Sequence, residues 1–172
     1  IQGYLETIID NPTIKEDTKA QFLDRCYAQS KRLGSLLNDI SMLNRMDDGS
    51  QMMEFEEINV SLTIKQIIKE TALQLKEKNM NFIDNTPDNI IIHGAASVVY
   101  SIFRNLTDNA IAYAGEGTTI TLSAHQTGEE HWNFTFCDNG VGVDNKQLPR
   151  LFERFYRVDK GLSRKLGGTG LG

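Results

Sequence analysis

Residues 103–114 read FRNLTDNAIAYA. The apolar residues recur at helical spacing, and Asn105 and Asn109 fall four residues apart on one face, with Cβ atoms about 6 Å from each other. Asparagine is a mediocre helix former that prefers caps and turns. Helix propensity therefore does not account for the pair. Working outward, residues 90–93 and 81–83 read as strand pieces before this helix. They are preceded by a helix over 62–78 with Ile64, Ile67, Ile68 and Leu75 inward and Ser61 as its N-cap, and by a short strand over 55–60. After the helix, residues 118–124 and 132–137 alternate or run apolar, and Gly128 lies in the turn between them, which predicts a hairpin. Strands and helices in this mixture predict a two-layer α/β sandwich.

The first part of the chain has a different rhythm. Phe22, Cys26, Gln29, Leu33, Leu36, Ile40 and Leu43 alternate steps of four and three, which makes a heptad seam over residues 16–46. Ile1, Leu5 and Ile8 form a shorter run of similar spacing, and NPT at 11–13 interrupts it as a turn would. The two runs predict an antiparallel helical hairpin. Two arms do not enclose a bundle core alone, so the hairpin either pairs with a second copy into a dimeric four-helix bundle or packs on the globular part of its own chain. Asp47, Asp48, Gly49 and Ser50 end the helix and read as a hinge. The expected class is thus α+β, with a helical hairpin over 1–50 and a globular domain over 51–172.

Bulk properties narrow the function classes. The chain has 172 residues, of which 40% are hydrophobic, enough for a real core. Its formal charge of −5 repels a phosphate backbone, so nucleic acid is not expected as a partner. Cys26 and Cys137 lie in unrelated contexts without a CxxC or a histidine cluster, which indicates neither zinc nor a disulfide framework and fits a reducing, cytoplasmic setting. No stretch approaches the roughly 20 apolar residues that span a bilayer. The chain opens on Ile1 inside a periodic run and closes on Gly172 inside a glycine cluster, and it reads as a fragment cut at both ends.

Four clusters carry candidate chemistry: the Asn105/Asn109 helix, DNGVGV at 138–143, LFERFYRVD at 151–159 and GGTGLG at 167–172. Neither a complete Rossmann glycine pattern nor a GxxxxGK[ST] loop is present. In this order and spacing the clusters resemble the N, G1, F and G2 boxes of the sensor histidine kinases, the two-component class of the Bergerat (GHKL) ATP-binding superfamily. The hairpin and its Asp-Asp-Gly hinge are similar to that family's dimerisation segment, and IQGYLET is similar to the residues just after its H box.

The resemblance implies roles that the residues can fill. A side-chain amide oxygen suits Mg²⁺, which takes oxygens near 2.1 Å and keeps several waters. Asn109 and Asn105 would hold the metal that bridges the ATP phosphates. An ionised Asp138 only accepts hydrogen bonds, so it would read the exocyclic amine of adenine and repel the carbonyl of guanine. Gly140 and Gly142 let the backbone approach the nucleotide, and Tyr113 would stack on the base. Phe152 and Phe155 would anchor the base of a polar lid over 158–168, and Arg157 and Arg154 would neutralise the terminal phosphates. Gly168, Thr169, Gly170 and Gly172 resemble the G2 loop, whose backbone N–H groups meet phosphate. Ala112 stands where many members carry a lysine, so one phosphate contact is missing or comes from elsewhere.

The implied activity is a protein histidine kinase acting with ATP and Mg²⁺. Asn105 occupies the place of the glutamate that activates water in the gyrase, heat-shock-chaperone and MutL-type ATPases, and an amide cannot take a proton from water. Hydrolysis is disfavoured, whereas a neutral imidazole is already a competent nucleophile. The acceptor histidine is expected about nine residues before Ile1, by extrapolation of the resemblance, because none of His93, His125 and His131 lies in an H-box setting. The implied partners are a second copy, through the hairpin, and the receiver domain of a response regulator, with any membrane contact made by segments outside these residues. The alternatives are a degenerate ATP-sensing or scaffolding dimer and a GHKL-type ATPase.

Overall fold

The computed structural model describes residues 1–47, 54–128, 131–153, 156 and 158. They form two compact units, residues 1–47 with those from Pro149 on, and residues 54–148. Of the predicted hinge, Asp47 ends a helix, and residues 48–50 lie outside the described residues.

In the first unit, α1 (Gln2–Asp10) and α2 (Glu16–Asp47) are joined by a turn at residues 12–13, as the NPT interruption predicts. The seam is closed at one end. Tyr4 meets Phe22 with ring centroids 5.1 Å apart, Arg25 donates to the Tyr4 hydroxyl at 3.3 Å, and Cys26, 7% exposed, directs its Sγ to the Ile1 carbonyl at 3.6 Å. Beyond that end, the predicted seam positions Leu33 and Ile40 are exposed, as are Leu5, Ile9, Leu23 and Leu37. α1 buries no residue fully. The hairpin by itself leaves an apolar face uncovered.

The second unit runs β1 (Glu56–Asn59), α3 (Val60–Glu77), β2 (Asn81–Asn85), β3 (Ile91–Gly94), α4 (Ala96–Tyr113), β4 (Thr119–Gln126) and β5 (Trp132–Asp138). β1 and β3 pair antiparallel with Ile58 opposite Ile92. In the other sheet β2 pairs parallel to β4, and β4 antiparallel to β5, in the order β2-β4-β5. The β4–β5 hairpin is the predicted one, and Gly128 supplies its turn with φ +81°.

Ser61 is not the helix cap. α3 begins at Val60, and the Asn59 side chain accepts from the Leu62 N–H at 3.1 Å. Ser61 is buried and serves a different contact: its hydroxyl donates to Pro87 O at 3.0 Å and accepts from Ile90 N at 3.1 Å. The earlier start has its reason in the backbone, because Val60 N donates to Ile90 O at 2.9 Å and ties the first helical residue beside β3.

Two apolar clusters form the core, one around Ile64, Ile67, Ile90, Phe103 and Leu122, the other around Leu75, Met80, Ala110, Ile111 and Ile120. Phe82 and Phe136 touch both, edge to face at 6.1 Å. Ile68 is only partly buried against the first cluster. Thr71 and Thr107 are buried, and each hydroxyl bonds the carbonyl one turn back at 2.8 Å, which satisfies it.

Candidate functional site

α4 buries Val99, Phe103, Thr107, Ala110 and Ile111. At 100° per residue this leaves Asn105, Asn109 and Tyr113 on the face turned away from the core. Asn105 is half-buried and Asn109 exposed. The residues flanking the helix as caps are Ala95 and Ala114, so neither asparagine caps it. Among the described residues neither amide forms a hydrogen bond. The ordinary explanations for an asparagine in a helix, a cap or a satisfied core polar group, therefore fail for both. What remains is a pair of free amide oxygens one helical turn apart.

The second half of the site comes from β5. Asp138 ends the strand opposite Ile120, is exposed, and accepts from Gly140 N at 2.9 Å through Oδ1. Its other oxygen takes no hydrogen bond among the described residues. The loop after β5 is clamped onto the end of α4. Asn139 exchanges bonds with Thr119, its Oδ1 accepting from Thr119 N at 2.7 Å and its N–H donating to Thr119 O at 3.2 Å. Val141 N donates to Ala114 O at 3.2 Å. Gly140 lies so close to Ala114 that a Cβ there would fall 2.3 Å from the Ala114 carbonyl oxygen. Glycine is required at 140 by this approach, and at 142 by φ +66°.

Asp138, Gly140, Gly142 and Tyr113 thus meet at one helix–loop junction, and Asn109 and Asn105 extend from it along the exposed face of α4. The junction offers a free carboxylate oxygen, an aromatic ring 37% exposed, and free amide oxygens. The donor set fits a hydrated hard cation, since Mg²⁺ in nucleotide sites takes few protein oxygens and relies on water and phosphate for the rest. Among the described residues no group of three or more His, Cys, Asp or Glu side chains is placed to hold a metal.

Arg154, Phe155, Arg157, Gly168, Thr169, Gly170 and Gly172 lie outside the described residues. Phe152 is 97% exposed, and nearly all of the lid it is expected to anchor lies outside the described residues. Among the described residues of that segment, the Tyr156 ring centroid lies 4.1 Å from the Arg150 guanidinium, and Arg150 is paired with Glu153 at 3.0 Å.

Two supports of the site have no motif. Lys78, the residue after α3, donates from Nζ to Ile111 O at 2.5 Å, and Gly117 N donates to Lys78 O at 2.9 Å. A cation there favours the carbonyl end of α4 and braces the turn beyond it. On the α3 side of α4, Glu70 accepts from the Tyr100 hydroxyl at 2.5 Å and from Arg104 Nη1 at 3.0 Å, while Arg104 Nε donates to Asp108 at 2.9 Å. The Tyr100 hydroxyl first, then the Gln66 amide and Arg104, hold the Glu70 carboxyl below the usual range. Burial pulls the Arg104 guanidinium down, but Asp108 and Tyr100 outweigh it and keep the group charged. Only the Arg104/Asp108 spacing is visible in the sequence.

Residues 94–172 match the family model described as histidine kinase-, DNA gyrase B-, and HSP90-like ATPase. Over its whole length the chain is 31% identical to the sensor histidine kinase WalK of Bacillus subtilis and 35% identical to the phosphate regulon sensor protein PhoR of Haemophilus influenzae. It spans 28% of the first and 40% of the second. Among solved structures, the Acinetobacter baumannii histidine kinase AdeS superposes with a TM-score of 0.72 at 19% identity, covering 98% of this chain and 80% of that one. Full-length ShkA in complex with AMPPNP gives 0.69 at 17%, covering 98% and 36%. The histidine kinase ThkA in complex with the response regulator protein TrrA gives 0.61 at 16%, covering 74% and 38%. At these identities the superpositions speak for the fold, which is the Bergerat fold. The matching family model and the curated relatives support a sensor histidine kinase catalytic domain in this chain, with residues 94–172 as its histidine kinase-, DNA gyrase B-, and HSP90-like ATPase part.

Proposed function

We propose that this chain is the ATP-binding and phosphotransfer core of a two-component sensor, with a dimerisation hairpin over residues 1–50 and a catalytic domain over 51–172. The observation that carries the reading is the Gly140–Ala114 contact. It joins a helix bearing two unpartnered amides to a strand end bearing a carboxylate with a free oxygen.

Each residue has a defined task in that reading. The free oxygen of Asp138 accepts from the adenine amine, and its negative charge rejects a guanine carbonyl. Tyr113 offers its ring to the base. Gly140 and Gly142 leave the backbone bare where a nucleotide approaches. Asn109 and Asn105 would hold Mg²⁺ through their amide oxygens, and the ion would supply positive charge against the ATP phosphates. Asn105 is not a base, so water at the site is not activated. The γ-phosphoryl group passes in line to the nitrogen of a neutral imidazole: the N–P bond forms, the bond to the β-phosphate oxygen breaks, ADP leaves, and the imidazole gives up its proton. The acceptor is a histidine before Ile1 in the parent protein, and Arg157 and Arg154, with the glycines from 168 to 172, serve the phosphates.

The uncovered apolar face of α1 and α2 supports pairing with a second copy. ThkA bound to TrrA supports a response regulator as the next acceptor, and ShkA bound to AMPPNP supports an adenine nucleotide. Among the described residues no helix is long and apolar enough to cross a membrane. The deciding experiment is incubation of the parent protein with γ-labelled ATP and Mg²⁺. Acid-labile, base-stable label on the protein is the expected result. Binding without label would make it a nucleotide sensor, and free phosphate alone an ATPase; either would refute the reading.

A further inference from the structure

The polar ladder on α4 does more than decorate its flank. Tyr100, Arg104 and Asp108 follow one another at four-residue steps, and the first two grip the same oxygen of Glu70 on α3, at 2.5 and 3.0 Å. Asn105 and Asn109 each come one residue after a member of this ladder, 100° further around the same helix and 1.5 Å along it. Turning α4 about its axis would move both rows together. We infer that Arg104, anchored by Glu70, is a positioning residue that sets the rotation of α4 and so aims the amide oxygens of Asn105 and Asn109. The inference rests on the reading of those asparagines as cation ligands.

Two observations carry it. First, between the two asparagines the core offers only a small side chain to hold the helix. The buried residue between them is Thr107, while the bulky Phe103, whose ring centroid lies 5.2 Å from that of Phe134, and Ile111 lie two residues outside the pair on either side. Secondly, the guanidinium spans two helices with two different nitrogens, Nη1 to Glu70 and Nε to Asp108. A planar fork held at both ends fixes direction as well as distance, which a lysine point charge does not.

The magnitude is set by geometry. An amide oxygen about 6 Å from the helix axis moves about 2 Å for a 20° turn. Mg²⁺ demands near-ideal octahedral placement at about 2.1 Å, so a slip of that size removes the protein ligands from the shell. Adenine binding at Asp138 depends instead on the end of α4, which Lys78 at Ile111 O and Val141 at Ala114 O hold separately, so Tyr113 and the clamped loop are largely spared. The pair itself is only partly shielded, with side-chain exposures of 27% and 35% for Arg104 and Glu70. An ion pair this open adds little to stability, so positioning and stability separate.

The test compares nucleotide affinity with and without Mg²⁺, by calorimetric titration of ADP into the full chain. In Arg104→Met the gain in affinity conferred by Mg²⁺ falls about tenfold, while metal-free affinity stays within about twofold of the unaltered chain. Arg104→Lys restores charge but not the fork and recovers only part of the gain. Tyr100→Phe, which removes one of the bonds to Glu70 and keeps the ring, lowers the gain about twofold to threefold and keeps the inference testable should Arg104→Met not fold. A Mg²⁺ gain that is intact in Arg104→Met, or intact in Tyr100→Phe where only that variant folds, overturns the inference. So does a parallel fall of both affinities, which is what a merely structural role would give. An unaltered chain whose affinity ignores Mg²⁺ overturns the reading of the site itself, and this inference with it.

Discussion

Replacing Gly140 with alanine tests the junction on which the site depends. The added Cβ would stand 2.3 Å from the Ala114 carbonyl oxygen, 2.6 Å from its Cα and 2.7 Å from its carbonyl carbon. All three are backbone atoms of a helix end that is held by Lys78 at Ile111 O and buried at Ala114 itself. The helix does not yield, so the exposed loop retreats, by about 1 Å if ordinary contact is to be regained. That retreat breaks the Val141 N–H bond to Ala114 O. Overpacking plus one lost hydrogen bond destabilises by about 2 kcal/mol, which for a unit of this size lowers the melting midpoint on the order of 10 °C. The larger effect falls on binding, because Asp138 moves with the loop while Tyr113 and the asparagines stay. Losing the hydrogen bond of a charged Asp138 to adenine costs on the order of tenfold to a hundredfold in affinity. Calorimetric melting and ATP titration measure the two effects. Gly128→Ala is the control: its φ of +81° makes alanine costly to the backbone, but nothing lies within 4 Å, and ATP affinity stays unchanged. A Gly140→Ala protein that binds ATP as tightly as the unaltered chain would refute the clamp and the site built on it.

Asp138→Asn replaces an obligatory acceptor with a group that can also donate; ATP binding falls at least about tenfold and the preference for ATP over GTP shrinks, measured by competition titration, with the melting midpoint unchanged. Asn109→Ala abolishes the dependence of nucleotide affinity on Mg²⁺ and leaves metal-free binding in place. Ser61→Ala strands the Ile90 N–H in a buried position and destabilises by about 1–3 kcal/mol, more than Asn59→Ala, which loses an exposed cap worth about 1 kcal/mol; denaturant melts rank the two, and the reverse order would return the capping role to Ser61.

The elements that carry the site are legible because their signals are local. An i, i+4 asparagine pair in an amphipathic run, and a hairpin with a glycine turn, depend on neighbours within a few residues. Ser61 misleads for a related reason: serine and asparagine are both good caps, and the choice between Asn59 and Ser61 turns on a Val60–Ile90 backbone bond across the chain. The heptad spacing locates α2 but not how much of its seam α1 covers, since that depends on where the shorter arm packs. Phe152 reads as an apolar anchor because it is large and hydrophobic, yet it projects into solvent. The Gly140–Ala114 approach and the Glu70–Arg104 pair join residues far apart in sequence, and no periodicity records them.

The path of the chain through the second unit ties nucleotide recognition to the last stages of folding. β2 and β4 run parallel, and the crossover between them contains β3 and the whole of α4. Parallel neighbours come together only after such a long connection has closed. The asparagines belong to the crossover and Asp138 to the strand that pairs with β4 afterwards in the chain. An incompletely folded molecule can hold one group or the other but not both in register, so affinity for the nucleotide reports that the sheet is finished.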